Sequence, residues 1–184
     1  MIQDWDTTIA NVLQWEGPEV NVSKDEPGGI SKYGVSLQTY TDFCKRANLP
    51  VPTFETIKNF TQEDASLFYK NYFAANIDFD DLPTGVDFRL MDIVVNLGMN
   101  GAHKLVSAIT DQWIPSNPNS IASYFTGRNP VNMINALSTG WISIKSTSPH
   151  WYVTDPKLGN SYGHGWTKRN IAQRTIALGM VTGV

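Results

Sequence analysis

Apolar residues recur at helical spacing along most of this chain, and the one long early interruption falls between positions 16 and 35. Trp5, Ile9, Val12 and Glu16 stand four, three and four residues apart, with Asp4 and Asp6 where a helix dipole favours acids. A first helix is predicted over about residues 4 to 15. The next twenty residues lose that period: Val20 and Val22 alternate with polar neighbours and Gly28-Gly29 supplies a turn, which fits a short hairpin or irregular loop. Ser36 then reads as an N-cap for a helix carrying Leu37, Tyr40, Phe43, Cys44 and Ala47, stopped by Pro50 and Pro52. Thr53 can cap a helix over Phe54 to Asn59, and Thr61 with Asp64 forms a capping-box pattern ahead of Ala65, Phe68, Tyr69, Tyr72 and Phe73.

Thr84 with Asp87 repeats that device ahead of Phe88, Met91, Val94 and Val95, predicting a very apolar, central helix over residues 84 to 97. Gly98 and Gly101 read as a turn into a further helix with Ala102, Leu105, Val106, Ile109 and Trp113, ended by Pro115. A short helix near 119 to 126 and another from Pro130 to about Ile144 come after it. Pro149, Pro156, Gly159, Gly163 and Gly165 mark a loop before a last helix, Trp166 to Met180. No repeat or linker interrupts the pattern, so a single mainly α domain is predicted over 1–184, with a small β-hairpin or loop region near its N-terminus.

The composition supports one substantial core: 184 residues, 41% of them hydrophobic and 11% aromatic. A single cysteine, Cys44, excludes an intrachain disulfide, and its place on an apolar helical stripe fits core packing. No run reaches the length of a membrane span, and the acidic, amphipathic N-terminus is unlike a signal peptide, so synthesis in a cytosol without an export device is expected. The net charge of −3 hides a gradient. Through Gly127 there are 8 Lys and Arg against 16 Asp and Glu, and from Arg128 onward 6 against Asp155 alone. Such a tail can steer toward anionic surfaces, although simple solvation accounts for it as well.

The candidate chemistry lies in the interruption. Glu16 closes the first helix, Asp25 and Glu26 come nine and ten residues later before Pro27-Gly28-Gly29, and Ser31 and Tyr33-Gly34 come next. Hydrolysis of a glycosidic bond needs a proton for the departing oxygen and stabilisation of an oxocarbenium-like centre, which two carboxyl groups in different surroundings provide. Glu16, at the end of an apolar helix near Trp15, suits the proton donor. Asp25 or Glu26, on a polar turn, suits the ionised partner that orients or deprotonates water, with Ser31 hydrogen-bonding that water. The plain alternatives are a helix-terminal surface acid and turn residues making local hydrogen bonds. His103, His150 and His164 show no ligand spacing and no phosphate-binding glycine motif precedes a helix, so neither metal, cofactor nor nucleic acid is expected.

These residues resemble the N-terminal motif of glycoside hydrolase family 108, phage and prophage muramidases, which reads roughly E-G-G followed by D-P-G-G-x-T-x-x-G-I. Asp92-Ile93-Val94-Val95-Asn96-Leu97-Gly98 is similar to the family's D-x-x-V-N-x-G, and Gly165-Trp166-Thr167-Lys168-Arg169 to the G-W-x-x-R of its peptidoglycan-associated C-terminal region. Two departures stand out: Pro18 replaces the second glycine, and Asp25-Glu26 supplies one acid more than the pattern. Glu26 holds the place before Pro-Gly-Gly. Asp25 has the spacing from Glu16 and to Ser31 of the phage-type lysozyme trio, and is preferred.

The resemblance implies a lysozyme-like fold, with the catalytic motifs in 1–97 and a helical region over 98–184. It implies a monomeric endolysin that cleaves the β-1,4 bond between N-acetylmuramic acid and N-acetylglucosamine in peptidoglycan during phage-driven lysis. With an inverting mechanism the carboxyl groups would stand roughly 6.5–9.5 Å apart. Release to the wall would come from a holin, and the basic C-terminal helix could engage anionic wall or outer-membrane components. Asn96 is either a buried structural hydrogen-bonder or a contact to a sugar acetamido group. Tyr33, Tyr69 and Tyr72 could stack on sugars or pack in the core, and Arg169 and Trp166 are expected to fix the last helix. A non-catalytic wall-binding or phage structural module and a lytic transglycosylase are the competing readings.

Overall fold

The computed structural model describes residues 2–24, 28–111, 121–146 and 159–183, with side chains from residue 5 in the first stretch and from 166 in the last. The fold is mainly α with a small antiparallel sheet near the N-terminus, the lysozyme-like class expected from the sequence. It divides into two compact units, Trp5–Ala75 and Asn76–Val184 together with Met1–Asp4.

In the Trp5–Ala75 unit, helix α1 (Ile2–Glu16) buries Ile9, Val12 and Leu13. The interruption after it is a three-stranded antiparallel sheet in the order β1 (Val20–Val22), β2 (Ile30–Lys32) and β3 (Val35–Ser36). Its register pairs Asn21 with Ser31 and Ser31 with Ser36. Ser36 both ends the sheet and caps α2 (Leu37–Arg46), its hydroxyl accepting from the Thr39 N–H at 3.2 Å. Thr53 and Thr61 cap α3 (Phe54–Lys58) and α4 (Gln62–Phe68), as the sequence indicates, and both caps are reciprocal boxes, with Thr56 and Asp64. The short carboxylate of Asp64 reaches back to the Thr61 N–H at 2.8 Å.

After α4 the chain widens into one π-helical turn, Tyr69–Phe73. The rings of Tyr40, Phe43, Phe60, Phe68, Tyr69, Tyr72 and Phe73 pack edge-on or stacked at centroid separations of 4.9 to 5.9 Å. Such pairs add about 0.5–1.5 kcal/mol beyond the area they bury, and here they join α2 to the segment carrying Tyr69.

The second unit is built on α5 (Val86–Thr110), α6 (Pro130–Ser146) and α7 (Gly159–Thr182), which pack on one another. Expectations about Thr84 and about the glycines before the last helix are corrected here. Thr84 is not the N-cap of α5: Gly85, at φ 81°, occupies that place, and Asp87 Oδ1 accepts from the Phe88 N–H at 2.6 Å. Gly85 suits that place because a Cβ there would lie 2.4 Å from the Ala177 carbonyl oxygen. At Gly98 (φ 70°, ψ 170°) the backbone leaves helical angles, so α5 is two helical segments meeting at a kink, as the sequence indicates for Gly98, while Gly101 lies within the second segment. Gly159, Gly163 and Gly165 belong to α7, helical despite a propensity deficit of about 1 kcal/mol each. Around the predicted short helix near 119 to 126, the described part is a single 3-10 turn, Ala122–Tyr124. Trp113, Pro115, Pro149 and Pro156 lie outside the described residues.

Candidate active site

Glu16 is the last residue of α1 because the next residue turns the chain out of the helix. Gly17 takes the left-handed conformation (φ 72°) and returns its N–H to the Leu13 carbonyl at 3.0 Å, a left-handed helix cap. Pro18 cannot extend the helix, and proline is common just past such a cap, so the departure from the two-glycine motif is compatible with the same helix end. Glu16 is half-buried, and its neighbour Trp15 is 37% exposed.

The Glu16 side chain lies against the turn joining β2 to β3. Lys32 pairs with Val35, so the connection is the two residues Tyr33 and Gly34, both at positive φ (49° and 72°). Two-residue hairpin turns with both central residues at positive φ match the twist of the strands and favour Asn-Gly. A tyrosine at the first position is strained. Gly34 is required on a second ground: a Cβ there would sit 2.7 Å from Glu16 Oε2, 2.7 Å from the Tyr69 hydroxyl oxygen and 2.9 Å from Glu16 Cγ. The acid and the phenol thus meet the same bare face of Gly34. The Tyr69 hydroxyl also donates to the Tyr33 carbonyl at 2.8 Å.

Ser31 lies one strand residue before Lys32, 6% exposed, on the face of β2 opposite Ile30 and Lys32. Tyr33 is half-buried with the Lys32 ammonium 5.6 Å from its ring centre. Asp25 and Glu26, the two candidates for the second carboxylate, lie outside the described residues. Tyr69, 1% exposed, packs as a core ring and offers no face for a sugar to stack on. Gly34 and Tyr69 are the contributors to the Glu16 environment that the sequence does not single out in that role. The Tyr33-Gly34 pair is the available signal for the first. Nothing in the chain order marks Tyr69, 36 residues from the carbonyl it holds.

Cys44 is buried beside Tyr40, and burial pushes its thiol up, away from the reactive thiolate. Among the described residues no three of His, Cys, Asp and Glu come together as a metal site.

The other two motif blocks meet in the second unit. Asp92 is 1% exposed and binds Arg89 through Oδ2 at 2.5 Å. Its Oδ1 accepts from Arg169 Nε at 2.9 Å and Gln173 Nε2 at 3.2 Å. Arg89, fully buried, also donates to Ser138 Oγ at 3.0 Å and to Asn170 Oδ1. Arg169 therefore ties α7 to α5, and Lys145 lies 4.1 Å from the Trp166 ring centre, bringing α6 to α7. Of the cations of α7, Lys168 and Arg174 remain exposed. Asn96 is half-buried two residues before the Gly98 bend, and its Oδ1 has no hydrogen-bond partner among the described residues.

Residues 9–98 match the model of a family described as glycosyl hydrolase 108. A search of curated proteins finds no match. Among solved structures, Brucella abortus SagA aligns with a TM-score of 0.77 over 98% of this chain and 97% of that one, at 19% identity, a likeness of fold.

Proposed function

Residues 9–98 match the glycosyl hydrolase 108 family, and from that premise we propose that the chain is a glycoside hydrolase that cleaves the β-1,4 bond between N-acetylmuramic acid and N-acetylglucosamine in peptidoglycan. Glu16 is the proton donor to the departing oxygen. The partner that activates water on the opposite face of the sugar is Asp25, by its spacing, or Glu26, by its place before Pro27. Ser31 steadies that water, and Tyr33 contacts the sugar. The product would be inverted. The observation that carries this reading is the placement of Glu16: half-buried at a fixed helix end, against a glycine that leaves room for its carboxyl group, inside the family-matched region. We place the activity in phage-driven lysis, with a separate membrane-permeabilising protein giving access to the wall.

Digesting purified peptidoglycan with the wild type, Glu16→Gln, Asp25→Asn and Glu26→Gln, and identifying the new ends by mass, tests this directly. Glu16→Gln should lower the rate about 10²–10⁴-fold, the range general acid catalysis supplies. One of the other two variants should fall comparably, and the products should carry reducing ends. Anhydro ends with loss confined to Glu16→Gln would identify a lytic transglycosylase instead. Wild-type protein that binds peptidoglycan without cutting it would favour the non-catalytic module.

A further inference from the structure

The Tyr33-Gly34 turn needs support from outside itself. Its first residue is a bulky aromatic at φ 49°, where asparagine is the usual choice. Strained backbone of this kind persists only where surrounding structure over-determines it. Here the support is specific: the Tyr69 hydroxyl, on a ring 1% exposed, donates to the Tyr33 carbonyl at 2.8 Å. Tyr69 is itself fixed, as the first residue of the π-helical turn, with Phe68 and Phe73 against its ring at 5.6 and 5.8 Å. π-helical turns of this length recur at functional sites. The peptide so held leads into Gly34, whose missing side chain is the space occupied by Glu16 Oε2 and Cγ.

We propose that Tyr69 is a positioning residue: by holding the Tyr33 carbonyl it fixes the Gly34 face against which the Glu16 carboxyl group rests, and so sets where the acid's proton is delivered. The inference rests on the reading of Glu16 as the proton donor. Tyr69 touches no substrate in this scheme, and its ring has a packing role that its hydroxyl does not share. Removing the oxygen alone separates the two. A displaced acid loses rate steeply, because misplacement of about 1 Å is enough to lose on the order of 10²-fold.

The test uses soluble peptidoglycan glycan oligomers, with kcat and KM measured for Tyr69→Phe, Gly34→Ala and Glu16→Gln, and thermal unfolding followed alongside. Tyr69→Phe should lower kcat about tenfold, the weight of one neutral hydrogen bond, with KM within about twofold. Gly34→Ala, which pushes the acid aside and strains the turn, should lower kcat by about 10² or more. A second change guards against a trivial folding defect. Placing Asn-Gly in the turn, as Tyr33→Asn, relieves the need for support, so kcat of Tyr69→Phe/Tyr33→Asn should recover toward that of Tyr33→Asn alone. Wild-type kcat in Tyr69→Phe while Glu16→Gln is inactive would overturn the positioning role and leave the reading of Glu16 intact. A raised KM with unchanged kcat, or a loss of rate in Tyr69→Phe that the turn replacement does not recover, would also overturn it. Full activity in Glu16→Gln would instead overturn the catalytic reading itself.

Discussion

Two carboxylates from the motif blocks of this chain, Glu16 and Asp92, live in opposite circumstances. Asp92 is 1% exposed and answered by two guanidinium groups and an amide, so that its charge is consumed in joining α5 to α7. Glu16 sits half-buried at a helix end, with a bare glycine and a phenol beside it. A buried acid hydrogen-bonded to two guanidinium groups serves as a fastener, because removing one partner leaves the others buried and unmatched. An acid on a rim between a helix end and a turn is placed where a substrate can reach it. Motif membership alone does not separate the two, and burial with its partners does.

The sharpest way to break this contrast is Asp92→Asn, which keeps the side-chain shape and removes the carboxylate charge that the buried Arg89 and Arg169 share. A loss of about 3–5 kcal/mol in unfolding free energy is expected by urea titration. The matched change Glu16→Gln should stay within about 0.5 kcal/mol by the same titration while losing activity. If the two variants were equally destabilised, Glu16 would be a fastener too.

Thr61→Ala comes next. It removes the cap whose oxygen accepts from the Asp64 N–H at 3.1 Å, and about 1 kcal/mol of stability in α4 should go with it. Hydrogen exchange should quicken in α4 and the Tyr69 turn and stay unchanged in α5. Equal quickening in both would mean that the two units open together.

The smallest effect concerns pH. Burial pushes His103 below the ordinary histidine value, so it is neutral in the folded protein, whereas the unfolded chain takes up a proton from about pH 6.5 downward. Its contribution to stability is complete above that pH and declines as the pH falls toward the lowered folded value. Comparing melting temperatures of wild type and His103→Leu between about pH 8 and 5 should show a shallower decline in the variant. Parallel curves would remove His103 from the account.

What the chain order reveals is local. Ser36, Thr53 and Thr61 are legible as caps because a cap is decided within three or four residues, and the end of α1 is legible because Gly17 stands directly after Glu16. Thr84 misleads because the cap at Gly85 is chosen by the close passage of Ala177, 92 positions later. Gly98 is legible as an interruption between helical segments, whereas Gly101 lies inside the second of them. The likeness of the Asp92 and Arg169 blocks to family motifs is readable, but that they grip each other is a tertiary fact. The same holds for Tyr69: its spacing fits the core, and only the folded chain brings its oxygen to the Tyr33 carbonyl.

The left-handed glycine after Glu16 makes residue counting part of the chemistry. Adding or deleting one position within α1 would swing the carboxyl group by about 100° around the helix and move it about 1.5 Å along it, away from Gly34. Side chains along that helix can drift in sequence as long as its core stripe survives, but its length cannot, and insertions should be tolerated far better in the loops than in these first sixteen residues.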